Sequence, residues 1–329
     1  MVPAVAITAC SGSAQTEDTY SVVDTYSEIA LAPDGSRCAI QSVASGINTV
    51  LVANSDFSSA TLVALPEKNF WVRDVYFGDN ANSLLFTAGS PTFGAFETNI
   101  HIYHLDLASL GVRSILTGSD FNRAPTLSPD GRKMAFAARS NGGASLFVYE
   151  MDLATGTVAP YSPAAFQSIW RMAYRPEGTL VVGGVPGLDP FHSLKIDEAN
   201  GFQRVFLLGR NGTADPSPFM GLRANRLDLH GAHDDQLLLT ARYDDPSGSG
   251  TIRFAIMEGD LAAHRFVDFP EMNGYTATGA AIARRNGLMA ARGVHIAGVD
   301  GAGLVAIKGR GSAVIPDIAS QASRLAVVL

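Results

Sequence analysis

A short sequence motif recurs along the chain, and this repeat limits the fold more than any other feature. Residues 127–136 read LSPDGRKMAF, and 31–40 read LAPDGSRCAI. We call this sequence the turn motif. Seven copies occur, at 31–40, 77–86, 127–136, 174–182, 230–239, 283–291 and 318–327. Their turn positions recur roughly every 35 to 56 residues, the interval of propeller blades.

Each turn motif has the chemistry of a tight turn between two antiparallel strands. Proline presets φ, Asp or Asn caps the turn with its side chain, and glycine accepts a positive φ. After each of the first six copies comes a second hairpin, such as SLFVYEMDLATGT, and several of these hairpins alternate apolar and polar residues. Four short strands per repeat predict an all-β, seven-bladed β-propeller of four-stranded antiparallel blades.

The end of the repeat array predicts how the ring closes. No hairpin follows the seventh turn motif, because the sequence stops at Leu329. The β-prone N-terminal segments 4–8 and 19–26 are therefore predicted to complete the last blade. Six blades remain the alternative. The predicted domain division is 1–18 as a signal remnant and linker, and 19–329 as a single propeller.

The turn motif SPDGRKMAF followed by LFVYEMDLATG at 146–156 resembles the repeats of TolB-type (PD40-like) propellers. Such repeats also occur in the propeller domains of prolyl-oligopeptidase-like enzymes and in oligogalacturonate-lyase-like proteins. The resemblance spans nearly the whole chain and implies an architecture, because propellers host unrelated activities. The G-x-S-x-G elbow of the hydrolase domain is missing from the sequence.

Charge and histidine placement restrict the chemistry. A formal charge of −7 argues against nucleic-acid binding. No ligand spacing supports a metal site, and we expect no metal and no cofactor. His230 and His233 belong to a turn motif and are interpreted as solvated turn residues. A metal cluster assembled from separate blades is the alternative.

The N-terminal sequence AITAC followed by SGSAQTED resembles a bacterial lipobox. Cys10 would be the lipidated residue and the start of the mature chain, although the usual basic n-region is missing. The alternative is an ordinary β-strand. No other stretch approaches the ~18 apolar residues of a membrane span, so a lipid anchor is the one membrane attachment expected. This pattern predicts a location in the bacterial periplasm or anchored to the outer membrane.

Arginine and aromatic residues coincide when the repeats are aligned on their turn motifs. The arginines occupy the start of the innermost strand and the end of the second strand, which are neighbours at the end of the ring opposite the Asp-Gly turns. Guanidinium groups bind carboxylates bidentately, and aromatic rings supply contact area. We call this set the arginine–aromatic rim: Trp71, Arg73, Phe121, Arg123, Arg139, Trp170, Arg171, Arg226, Arg242 and Arg292.

The rim predicts a non-catalytic, monomeric binding scaffold that recognises a protein, a peptide or an anionic glycan. On this interpretation, the double substitution of Arg123 and Arg226 by Ala weakens binding and lowers the melting temperature by a few degrees at most. The alternative is that each arginine pairs with a carboxylate such as Asp74, or stacks on a ring, and holds one blade against the next. The rival function is a carbohydrate-active enzyme such as a uronate lyase, acting at the channel mouth.

Overall fold

The computed structural model describes residues 29–44, 47–64, 71–89, 100–115, 118–119, 121–139, 143, 145–186, 204–210, 212, 214–215, 226–234, 236–243, 251–257, 264–272, 275–295 and 303–315. Within these ranges the one helix is a short 3-10 turn at Pro270–Met272, and all other regular structure is β. The predicted all-β class is confirmed.

The strands follow one another along the chain in a regular succession. They are β1 (Ile29–Leu31), β2 (Arg37–Ala44), β3 (Ile47–Asn54), β4 (Ala60–Ala64), β5 (Trp71–Phe77), β6 (Ser83–Gly89), β7 (Ile100–Asp106), β8 (Val112–Ile115), β9 (Asn122–Leu127), β10 (Lys133–Arg139), β11 (Leu146–Asp152), β12 (Val158–Tyr174), β13 (Leu180–Pro186), β14 (Arg204–Leu208), β15 (Ala214–Asp215), β16 (Arg226–His233), β17 (Gln236–Tyr243), β18 (Thr251–Met257), β19 (His264–Phe266), β20 (Tyr275–Ile282), β21 (Met289–His295), β22 (Gly303–Ile307) and β23 (Gly311–Ile315).

These strands form four separate four-stranded antiparallel sheets and one seven-stranded sheet. The long strand β12 pairs with β11 through its first part and with β13 through its second part, so the large sheet contains two four-stranded units. We number the units as blades: β1–β4 is blade 1 and β5–β8 is blade 2. Blade 3 is β9–β11 with the start of β12, and blade 4 is the rest of β12 with β13–β15. Blade 5 is β16–β19, and blade 6 is β20–β23.

Apolar packing joins the blades into a ring. Five of the six buried clusters in the described part of the chain lie between two neighbouring blades, because each sheet presents apolar side chains on both faces. The sixth joins blades 3 and 4 and also includes Ile100 of blade 2. Between blades 1 and 2, for example, Val50 and Val52 lie in one cluster with Val75 and Phe86. Blade 6 in turn packs against blade 1, because Ile29 and Ile40 of blade 1 lie in one cluster with Val305 of blade 6. The predicted propeller arrangement is confirmed.

The direct contact between blades 1 and 6 bears on the number of blades. Asn286 of blade 6 donates to the Asp34 carbonyl oxygen of blade 1, and the Arg285 backbone N–H donates to the Pro33 carbonyl at 2.8 Å. This packing fits the six-bladed alternative, and the predicted seven blades are not confirmed. The seventh turn motif, the N-terminal closing segments, Cys10 and the boundary at 18–19 lie outside the described residues.

The turn motifs have the geometry that their sequences predict. In blade 3 the Gly131 N–H donates to the Ser128 carbonyl at 2.9 Å, and Gly131 has a φ of 71°. The Asp130 carboxylate accepts from the Arg132 N–H at 3.0 Å and so caps the turn. A glycine with positive φ occupies the same position in three other blades, as Gly35, Gly178 and Gly287.

Candidate functional site

A β-bulge places Trp170 at the end of blade 4 where the arginine–aromatic rim is predicted. In the pairing of β12 with β13, Ile169 faces Gly184 and Arg171 faces Gly183, which leaves Trp170 as an extra residue. A Cβ on Gly184 would lie 2.4 Å from the Ser168 carbonyl oxygen, so the bulge requires a glycine at this position. Trp170 remains 37% exposed.

Arg123 links three consecutive blades at this end of the ring. Its guanidinium carbon lies 4.4 Å from the centre of the Trp170 ring on blade 4. Its Nε lies 3.5 Å from Oδ2 of Asp74 on blade 2, and Thr87 donates to the same oxygen at 2.8 Å. Arg123 and Asp74 are both buried. One cation therefore bridges a fixed carboxylate and an exposed indole.

Two further rim arginines stack on aromatic rings. The guanidinium carbon of Arg171 lies 4.5 Å from the centre of the Tyr76 ring, and that of Arg139 lies 4.6 Å from the Phe121 ring. Arg171 is buried, whereas Arg139 is half-buried. These contacts, with the Arg123–Asp74 pair, are the ones that the blade-fixing alternative predicts.

The remaining rim residues lie on the expected strands. Arg226 and Arg242 face each other across β16 and β17, and Arg292 faces Gly279 across β20 and β21. Trp71 and Arg73 lie at the start of β5. The structure describes the half-buried side chain of Arg292 and the backbone alone of the other four.

The inner strands of the six blades that the structure describes surround a cavity of about 170 Å³ along the axis of the ring. One residue from each blade illustrates its wall: Leu31, Tyr76, Thr126, Arg171, His230 and Ile282. The cavity is therefore the central channel of the propeller, and the rim arginine Arg171 is part of its wall.

His230 and His233 correct an expectation from the sequence, because they lie in strand β16 and not in a solvated turn. His230 lines the channel, and its Nε2 is hydrogen-bonded to the Thr240 hydroxyl. Nδ1 of His233 lies 2.9 Å from the Arg284 carbonyl oxygen on blade 6. His230 is therefore part of the channel wall, and His233 contributes to the contact between blades 5 and 6.

Comparison with solved structures identifies the fold. TolB from Acinetobacter baumannii superposes with a TM-score of 0.59 at 18% sequence identity. The chain has a TolB-like propeller fold. The alignment covers 86% of this chain and 64% of that TolB, so the chain spans less than two thirds of the length of this relative.

Two other solved structures align with this TolB-like propeller. The putative TolB from Agrobacterium tumefaciens aligns with a TM-score of 0.49 and 11% identity, over 73% of this chain and 79% of that one. An acylaminoacyl peptidase from Pyrococcus horikoshii aligns with a TM-score of 0.50 and 10% identity, over 89% of this chain and 45% of that one. No protein-family model and no curated protein matches the sequence. The likenesses with a TM-score of 0.50 or above establish fold and not activity.

The TolB-like propeller also contains a buried carboxylate network that the sequence did not reveal. Glu150 on β11 accepts a fork of hydrogen bonds from Arg210, at 2.6 and 3.1 Å. It also accepts from Lys133 at 3.0 Å and from the Tyr174 hydroxyl at 2.8 Å. Burial alone would raise the pKa of Glu150, but these donors outweigh burial and lower its pKa to about 2.

Arg210 has a second contact in the same network, because its guanidinium carbon lies 4.7 Å from the Tyr161 ring. Burial raises the pKa of Tyr161 to about 12, and its hydroxyl donates to the Gly178 carbonyl at 2.8 Å. The network connects blades 3 and 4 and is saturated with partners, so it is structural. Alternation along LFVYEMD is the signal that could have revealed it, because Glu150 shares the buried face with Leu146 and Val148.

Across the ranges given above, no three His, Cys, Asp or Glu side chains lie close enough together to hold a metal ion. In the same part of the chain, no helix has the length and hydropathy needed to cross a bilayer.

Proposed function

We propose that this TolB-like propeller is a non-catalytic binding scaffold of the bacterial envelope, which recognises a protein, a peptide or an anionic glycan on its arginine–aromatic rim. The observation that carries the proposal is the exposure of the Trp170 side chain at the rim. Among the described residues, Leu110, Leu153 and Trp170 are the exposed large hydrophobic side chains. Trp170 alone of these three lies at the rim, since Leu110 and Leu153 lie in or beside turns between outer strands.

The contacts of Trp170 make it a rigid contact surface. Arg123 covers one side of the indole, and Asp74 holds Arg123 in place. A ligand that meets an immobilised aromatic ring loses little of its binding energy to ordering the protein. Trp and Arg are also the residue types most enriched among binding hot spots.

The charge of the rim favours anionic ligands. Arg139 and Arg292 add half-buried guanidinium groups on this side of the ring, in a chain whose formal charge is −7. A positive patch attracts acidic partners even on a protein whose overall charge is negative. Carboxylates of an acidic peptide or a uronate-containing glycan match the guanidinium groups chemically.

Lipidation of Cys10 is part of the same proposal and would hold the propeller at a membrane surface. The lipobox-like sequence before Cys10 supports it. Mass spectrometry of the mature N-terminus tests it directly: a diacylglyceryl-modified Cys10 as the first residue is the expected result. An unmodified chain that retains residues 1–9 would contradict it.

Fluorescence tests the binding role, because the chain has two tryptophans, and a Trp71→Phe background leaves Trp170 as the single indole emitter. We expect titration with oligogalacturonate or a poly-glutamate peptide to change the Trp170 emission. The apparent affinity should fall as salt rises from 50 to about 200 mM, because screening weakens the attraction of the rim.

A matched pair of substitutions completes the test. Trp170→Ala should weaken binding about 10-fold or more, measured by calorimetry, because it removes the central aromatic contact. Leu153→Ala is the control, since Leu153 is 39% exposed and lies in an outer turn. Equal loss in both variants would contradict the proposal. Cleavage of the glycan during the titration would instead support the uronate-lyase alternative.

A further inference from the structure

We propose that the central channel binds a small oxyanion, a carboxylate or a phosphate, between the guanidinium groups of Arg171 and Arg284. Both arginines line the channel cavity. This site lies inside the ring. It shares Arg171 with the arginine–aromatic rim but does not depend on the contact surface proposed at Trp170.

The two arginines approach the same short piece of blade 2. Arg171 stacks on the Tyr76 ring, and Nη2 of Arg284 donates to the Gly78 carbonyl at 2.8 Å. Tyr76 and Gly78 are two residues apart, which is about 7 Å along an extended strand. Two cationic groups, from blades 4 and 6, therefore contact blade 2 at residues that are two positions apart.

Arg284 has unused hydrogen-bonding capacity. Its Nε atom is buried and has no acceptor among the described residues. A buried guanidinium N–H without an acceptor is unfavourable, so this N–H is available to a bound anion as far as the described residues are concerned. Burial and the nearby Arg285 lower the pKa of Arg284 to about 10, although Asp79 acts in the opposite direction. Arg284 is therefore cationic at neutral pH.

The charges that line the channel favour an anion. Arg171 and Arg284 are the positive groups of the lining, and His230 adds an imidazole. The carboxylate of the lining, Asp234, is 75% exposed and lies 3.4 Å from Nε2 of His233. Solvent therefore screens the negative charge of Asp234. An oxyanion accepts guanidinium N–H groups bidentately, which makes it the fitting ligand.

The volume of the cavity limits the size of the ligand. A cavity of about 170 Å³ is smaller than the 300–1,000 Å³ typical of drug-sized sites. It corresponds to roughly five or six water molecules at about 30 Å³ each. Inorganic phosphate or a four-carbon dicarboxylate such as succinate fits this volume, whereas a folded partner or a polysaccharide chain does not.

Calorimetry and thermal unfolding of the full chain test the site. We expect phosphate or succinate at about 10 mM in a zwitterionic buffer to raise the melting temperature by a few degrees above sodium chloride of equal ionic strength. A response to phosphate alone or to succinate alone identifies which oxyanion the site accepts. No response to either anion overturns the proposal.

Neighbouring arginines supply the matched variants. Arg284→Gln should weaken the calorimetric affinity at least 10-fold. Arg285→Gln should leave it unchanged, because Arg285 is exposed, does not line the cavity and donates to the Asp79 carbonyl at 3.0 Å. Arg284→Lys keeps the positive charge but loses the paired N–H donors of the guanidinium group, so this variant should bind the anion about 10-fold more weakly. It provides the test if Arg284→Gln does not fold.

Binding that persists unchanged in the folded Arg284 variants would place the anion elsewhere and overturn the proposal. Trp170→Ala should retain the anion response, since Trp170 does not line the cavity. The two proposals can therefore fail separately. Absence of glycan or peptide binding at Trp170 would leave the response to phosphate and succinate intact, and absence of that response would leave binding at Trp170 intact.

Discussion

Replacing Glu150 by Gln should reduce the stability of the propeller in a pH-dependent way. The pKa of Glu150 is lowered from its ordinary value of 4.5 to about 2, and each pKa unit corresponds to about 1.4 kcal/mol. The ionised carboxylate thus contributes about 3.5 kcal/mol at most. Arg210 and Lys133 are 54% and 44% exposed, so solvent screens part of this attraction. We expect Glu150→Gln to cost about 2 kcal/mol at pH 7.

The sign of the pH dependence follows from the lowered pKa. The stabilisation is fully present above about pH 4.5, the ordinary pKa, and is lost as the pH falls toward about 2. The wild type should therefore lose its advantage over Glu150→Gln through this window. Urea denaturation followed by circular dichroism at pH 7, 5, 4 and 3.5 measures the difference in unfolding free energy at each pH.

The exposed ion pair of blade 4 provides the control for this measurement. Glu177 lies 2.7 Å from Arg175, and its side chain is 45% exposed. Exposed pairs contribute about 0–1 kcal/mol, so Glu177→Gln should have little effect at any pH. Equal stability of wild type and Glu150→Gln at pH 7 would refute the reasoning. A difference that grows as the pH falls would refute it too.

Three other perturbations test the ring and its core. Arg310→Ala removes hydrogen bonds from blade 6 to blade 1 and should lower the unfolding free energy by about 1–2 kcal/mol in urea; an unchanged midpoint would count against this closure. Gly184→Ala, with its Cβ 2.4 Å from a backbone oxygen, should cost about 3 kcal/mol in the same assay, against about 1 for Gly178→Ala, where nothing lies within 4 Å. Burial raises the pKa of Cys38 to about 11, so in a Cys10→Ser background it should react with a thiol reagent at pH 8 when urea unfolds the protein, and rapid native labelling would disprove its burial.

Local sequence chemistry predicts the turns and strands, because the forces involved act over a few residues. The turn cap by Asp130 and the positive φ of Gly131 follow from the four adjacent residues Ser-Pro-Asp-Gly at 128–131. The number of blades depends instead on which sheet meets which. The cluster that joins Ile29 to Val305 is a contact between opposite ends of the described chain, and no turn signal encodes it.

The candidate site shows the same division between local and distant information. Alignment of the turn motifs places Arg123 at the start of an inner strand, and the structure agrees, with Arg123 in β9. Its partners Asp74 and Trp170 each lie more than 40 residues away, so the choice between pairing and binding could not be made from spacing. The bulge at Trp170 was also unforeseen, although the adjacent Gly183 and Gly184 on β13 were its signal.

Blade fixing and binding are compatible roles for the rim, and the structure separates them experimentally. The sequence alone predicts that the double substitution of Arg123 and Arg226 by Ala weakens binding and lowers the melting temperature by a few degrees at most. Arg123 is buried against Asp74, whose side chain is 3% exposed. Removal of Arg123 leaves the Asp74 carboxylate buried without its cation, with Thr87 as the remaining hydrogen-bond donor among the described residues. Breaking a buried pair costs about 3–5 kcal/mol, less where a hydrogen bond remains. Arg123→Ala should therefore lower both stability and affinity, whereas Trp170→Ala should lower affinity with little loss of stability. If Trp170→Ala proved as destabilising as Arg123→Ala, the indole would be a packing residue and the rim would lose its principal contact surface.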